Sequence, residues 1–216
     1  MSKSKVIPLM PWTAEGFWDF NPKSLVVLLI GLVLFGLGEA CLVLANLGST
    51  PWTVLSQGLS QQLQIPLGFM TFIISGLALL SWIPIRIKPG IGTVLNMIII
   101  AWVLGMVVET VDGPESLLGR VVLTFIGIFL VGLASAIYLT CHMGAGPRDG
   151  LMVGLCQLTG WRVSVVRTGI EVTVSLLGWL LGGTLGIGTV LFAIGVGWTM
   201  QFSLTLLLTF FGETKA

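Results

Sequence analysis

Glu39 and Glu171 stand inside long apolar stretches, where an ionisable side chain is costly and usually faces a partner or a water-filled cavity. Arg167 precedes Glu171 by four residues, a helical spacing that puts both on one face and predicts a local ion pair. Glu39 has no residue of opposite sign in its own stretch. It is a candidate for proton coupling or substrate contact, with an interhelical hydrogen bond as the structural alternative. His142 is the single histidine. Its ordinary pKa of about 6.5 suits a proton-linked role, although a histidine at a helix end also serves to cap carbonyls. Asn46 holds the matching place in the first half of the chain and offers hydrogen bonds without titrating.

Two helix breaks carry the other candidate binding groups. The first reads Leu47-Gly48-Ser49-Thr50-Pro51-Trp52, and the second Met143-Gly144-Ala145-Gly146-Pro147-Arg148-Asp149. Glycine ends a helix by taking left-handed backbone angles, and proline, lacking an N–H, suits the first turn of the next. The exposed N–H groups of a restarted helix carry partial positive charge and can hold an anion or carboxylate. Arg148 adds a full charge to the second break. The structural alternative is a plain hairpin, with Arg148 paired to Asp149 or to a lipid phosphate.

Other chemistry is poorly supplied. The sequence contains no metalloprotease His-Glu-x-x-His, no nucleophile elbow, no Cys-x-x-Cys and no nucleotide-binding loop. No cofactor or metal site is expected, and an enzyme is the least favoured class. Cys41, Cys141 and Cys156 lack metal-ligand spacing and read as small buried hydrophobes. A net charge of +1 without a basic tail gives no footprint for nucleic acid.

The elements that position these residues are membrane spans. Hydrophobic residues make up 55% of the 216 positions and charged residues 9%, too apolar for a water-soluble domain. Six continuous apolar stretches, at about 24–46, 67–85, 90–109, 119–141, 163–182 and 186–212, each reach the roughly 20 residues that a helical span requires. Two shorter helical patterns, at about 52–63 and 148–158, are too short to cross and read as re-entrant or interfacial half-helices. Before the first span, Trp12, Phe17 and Trp18 suit either a membrane-surface segment or a loose tail. Lys3 and Lys5 lead into Pro8 and Pro11 rather than into the apolar core of a cleaved signal.

Basic residues give the orientation. With the N-terminus inside, Lys3, Lys5, Lys23, Arg86, Lys88, Arg148, Arg162, Arg167 and Lys215 fall on the inner side, and Arg120 alone outside. Both termini are therefore expected in the cytoplasm. The domain reading is an N-terminal segment 1–23, a first three-helix repeat 24–110, an outer loop 111–118, a second repeat 119–212 and a tail 213–216.

The repeat rests on a shift of 96 residues that aligns the halves without a gap. Gly31, Gly36, Gly48 and Pro51 fall on Gly127, Gly132, Gly144 and Pro147. Gly90-Ile91-Gly92-Thr93-Val94-Leu95 recurs as Gly186-Ile187-Gly188-Thr189-Val190-Leu191, with Trp102 matching Trp198 beyond it. An odd number of crossings per unit inverts the second copy, an arrangement used by secondary transporters with sites at the repeat interface. The Gly-Ile-Gly-Thr blocks read as close-packing or turn elements.

The paired Gly-x-x-Pro breaks, the glycine-rich first span and the Gly-Ile-Gly-Thr blocks resemble the bacterial YczE/YyaS/YitT-type membrane proteins from about Ser24 to Phe210. That resemblance implies a multi-pass protein of the bacterial cytoplasmic membrane and brings no substrate with it. The expectation is thus an all-α polytopic protein, six spans in two inverted three-helix repeats, each with a half-helix after its first span. Its expected role is transport or export of a small molecule, an anion being the class that the half-helix ends and Arg148 favour. The rivals are a substrate-binding subunit needing an energising partner and a non-transporting scaffold or regulator. Besides the lipid bilayer, a homo-oligomer or a partner subunit is the protein contact to look for.

Overall fold

The computed structural model describes residues 7–212, so Lys3, Lys5, Lys215 and the predicted tail 213–216 lie outside the described residues. The described chain is helical, in the order α1 Pro22–Ala45, α2 Pro51–Leu63, α3 Leu67–Leu80, α4 Trp82–Ile85, α5 Ile91–Thr110, α6 Leu117–Thr140, α7 Pro147–Thr159, α8 Val163–Leu180 and α9 Ile187–Phe211. Among the described residues, six segments are long and apolar enough to cross a membrane: α1, α3 with α4, α5, α6, α8 and α9. The second span differs from the expected single helix, because a turn at Ser81 separates α3 from α4. Both predicted half-helices are present as α2 and α7, and each begins at a proline. Trp102, Phe125, Ile194 and Trp198 are uncovered by other helices, as residues facing lipid would be.

At the centre, α1 lies against α6. Gly31 abuts Tyr138, Gly38 abuts Val131, and Gly127 abuts Leu42, so numbering rises along one helix as it falls along the other. The two helices are antiparallel. Their approach depends on small residues: a Cβ added at Gly38 would come within 2.9 Å of the Val131 nitrogen and 3.0 Å of the Gly127 oxygen. On the flanks, α5 packs on α1 and α9 on α6, while α2 packs on α8 and α7 on α3. The contact of α3 along α5 has no equal in the second half, where α8 and α9 barely touch.

The glycine blocks buttress the helix breaks across the molecule. Gly188 N–H donates to the Leu47 carbonyl at 2.7 Å, and Gly92 N–H donates to the Met143 carbonyl at 2.8 Å. Gly48 and Gly144 have φ of +120° and +109°, backbone angles that L side chains rarely adopt. A Cβ at either would also approach a threonine hydroxyl, of Thr189 or Thr93 respectively, to 2.7 Å.

The segment before α1 is neither loose nor a surface anchor throughout. Met10, Trp12 and Ala14 are buried. Trp12 donates its indole N–H to Thr140 Oγ1 at 3.1 Å and meets the Phe211 ring edge-on at 5.0 Å. Ala14 N–H bonds the Cys141 carbonyl, and Ile91 N–H bonds the Phe17 carbonyl. The segment therefore straps the end of α6 to the start of α5. Phe17 and Trp18 remain exposed, as expected of a membrane-surface position, with the Trp18 indole donating to the Pro89 carbonyl at 3.1 Å. Of the three cysteines, only Cys141 is fully buried; Cys41 and Cys156 are half-buried, and all three are free thiols.

Candidate functional site

α1 is 24 residues long, and Phe35 near its middle lines a cavity of about 120 Å³. Each water needs roughly 10–15 Å³ of such space, so the cavity admits several waters or one small solute. Its wall includes the starts of α2 and α7 together with residues of α1, α3, α5, α6, α8 and α9.

The buried end is organised by Glu39. Its side chain is 1% exposed, and Oε1 takes Arg148 Nη1 at 3.1 Å and the Thr50 hydroxyl at 3.2 Å. Thr50 is the N-cap of α2; its hydroxyl also contacts Thr53 Oγ1 at 2.8 Å and accepts from Thr53 N–H at 3.4 Å. Glu39 is thereby held at the positive end of α2. Its Oε2 is buried and has no hydrogen-bond partner among the described residues. Arg148, 18% exposed, lies with its guanidinium 5.6 Å from the centre of the Trp52 ring.

Asp149 stands in the first turn of α7, where a carboxylate suits the helix dipole. The hydroxyl of the buried Tyr138 donates to its Oδ2 at 2.7 Å. Arg148 pairs with Glu39 rather than with its sequence neighbour Asp149, one of the two partners that the hairpin alternative named. The i+1 neighbours on α7 point to different partners, one to α1 and the other to α6.

Arg167 and Glu171 form the predicted pair, Nε to Oε1 at 2.9 Å. Both line the cavity, and their side chains are 54% and 28% exposed. The lining thus joins this more exposed pair on α8 to the buried Glu39.

Several expected binding residues do not line it. Asn46 and His142 sit just past the ends of α1 and α6 in left-handed conformations (φ 51° and 56°), a geometry that ends a helix. Gly48 and Gly144 are taken up by the buttresses, Ser49 is buried in the first break, and the Pro147 carbonyl accepts the Trp82 indole N–H at 2.9 Å. Thr50, Pro51, Gly146, Arg148, Asp149, Glu39, Arg167 and Glu171 do reach the cavity.

Trp52, Ser75, Asn96 and Tyr138 line it without having been expected. The repeat offered a signal for three of them. Trp52, Ser75 and Asn96 are the 96-residue counterparts of Arg148, Glu171 and Phe192, which also line the cavity. Tyr138 carried no comparable mark. Among the described residues, no group of three or more His, Cys, Asp or Glu side chains gathers as a metal site requires.

The model of a family of unknown function, DUF6198, matches residues 22–205. The chain is similar to an uncharacterized protein of Haemophilus influenzae, 46% identical over 205 residues that cover 95% of this chain and 94% of the relative. It is also similar to the uncharacterized membrane protein YczE of Bacillus subtilis, 32% identical over 188 residues that cover 87% and 85%. YyaS of the same organism is 29% identical over 170 residues, covering 75% and 83%. No solved structure matches the chain.

Proposed function

The chain belongs to the family of unknown function DUF6198, and we propose that it is a small secondary transporter, two inverted three-helix repeats that carry a small polar molecule across the bacterial cytoplasmic membrane. One observation carries this reading. The mid-bundle cavity is lined by positions 96 residues apart: Thr50 with Gly146, Trp52 with Arg148, Ser75 with Glu171, and Asn96 with Phe192. A pocket made from equivalent surfaces of two halves, at the N-termini of two half-helices, has the layout of a transporter midplane site.

Inversion is supported by the antiparallel packing of α1 on α6 and by the reciprocal bonds of Gly188 to Leu47 and Gly92 to Met143. Rocking one half against the other would open the cavity to alternate sides, with the Glu39–Arg148 pair as the joint between halves. The contact of α3 with α5, against the separation of α8 from α9, suits one of the two end states. The excess of basic residues on one side supports a cytoplasmic position for both termini. No catalytic step is assigned to the site.

Counterflow in proteoliposomes loaded with a library of small polar solutes tests the proposal. Transport predicts saturable exchange of at least one solute, lost in Arg148→Ala. Flux absent across the library, together with an unaltered cellular phenotype for Arg148→Ala, would remove it. Co-purification of an ATPase with the full-length protein would instead favour an energised assembly in which this chain is the binding subunit.

A further inference from the structure

We propose that the cavity takes a small organic cation, an ammonium or guanidinium solute, held by the Glu39 carboxylate and the Trp52 face. This rests on the reading of the cavity as a solute site. Bare half-helix N-termini would favour an anion. Here both already hold carboxylates of the chain itself, Glu39 through Thr50 at α2 and Asp149 in the first turn of α7.

The charges around the cavity are Arg148 and Arg167 against Glu39, Asp149 and Glu171, which leaves one uncompensated negative charge. A monocation balances it, whereas an anion doubles it. Glu39 supplies a second, independent pointer: one oxygen takes two donors while Oε2, on a side chain 1% exposed, has none among the described residues. An unmet acceptor on a buried carboxylate calls for a donor.

The chain also displays the chemistry of such a ligand. Arg148 rests its guanidinium on the Trp52 face and on Glu39 through a single Nη1–Oε1 contact. An aromatic face beside a carboxylate is a cation site, and Arg148 fills it as a tethered occupant. Its contact is not the bidentate fork that makes such pairs strong. A free cation therefore competes with Arg148, which swings aside toward the open end of the cavity.

The test measures binding of radiolabelled ethylammonium to the full-length protein in detergent by scintillation proximity. A probe of three heavy atoms is limited to about millimolar affinity by a ceiling near 1.5 kcal/mol per non-hydrogen atom. The expected result is saturable binding that excess acetate does not displace. Arg148→Gln, which removes the tethered competitor, tightens it about tenfold. The double variant Glu39→Gln with Arg148→Gln, which leaves no buried lone charge, weakens it at least tenfold while eluting as a folded monodisperse species. Absent binding, displacement by acetate, weaker binding in Arg148→Gln or unchanged binding in the double variant each overturns the assignment. Counterflow with the same probe separates the two claims. Binding without flux removes transport and keeps the site, while flux of acetate alone keeps transport and removes the cation.

Discussion

Glu39 Oε1 and Arg148 Nη1 meet at 3.1 Å, although 109 positions separate them in sequence. The contact ties the first helix to the second half-helix and sets the floor of the cavity. Glu39 is almost wholly enclosed, so its carboxylate depends on this cation and on the Thr50 hydroxyl for compensation.

Removing one partner of a buried pair leaves the other uncompensated, which costs about 3 kcal/mol or more. Arg148→Ala should therefore lower the unfolding temperature in detergent clearly. Replacing both residues with apolar ones, Glu39→Leu with Arg148→Met, should recover most of the loss. Losses that simply add in this double-mutant cycle would mean that the two side chains do not interact.

Gly48→Ala and Gly144→Ala should each destabilise the protein by about 1–3 kcal/mol, since both positions hold left-handed angles against a neighbouring threonine. Gly169→Ala is the control, because a Cβ there meets nothing within 4 Å. Thermal unfolding of the three variants in parallel checks this. Equal behaviour of all three would mean that the buttressed breaks are not rigid.

The spans and both half-helices were legible because apolar length and the Gly-x-x-Pro breaks are local signals. Arg167 and Glu171 were legible for the same reason, one helical turn apart on one face. Glu39 was visible only as a charge in need of a partner. Its partner lies on an element 109 positions away, and nothing in the spacing along α1 encodes that distance. Nothing local in the sequence singles out Tyr138, because its role depends on α7 bringing Asp149 to its hydroxyl. The strap was left open between a membrane-surface segment and a loose tail, because its order comes from backbone bonds to Cys141 and Ile91, which side-chain types do not encode.

Trp12→Ala should release the strap. The indole is 7% exposed and carries both the Thr140 bond and the Phe211 contact, so truncation should cost about 3 kcal/mol of local stability. Limited proteolysis checks it: the segment from 7 to 20 should resist cleavage in the parent and be cut in the variant. Equal cutting rates would show that the strap is not held by Trp12.

Orientation follows from side-specific labelling in intact cells, with Cys41, Cys141 and Cys156 replaced by alanine. An impermeant thiol reagent should label Asp112→Cys and spare Lys88→Cys, both exposed positions at opposite ends of α5. The reverse pattern would place both termini outside.

The most direct test of the cavity as a moving site needs no substrate. Ser75 lines the cavity and is 5% exposed. In a background free of other cysteines, Ser75→Cys should react with an impermeant thiol reagent added from either side of the membrane, in right-side-out and in inverted vesicles. Reaction from both sides is what a cavity between two rocking halves predicts. Reaction from one side only, or from neither, would contradict alternating access at this site.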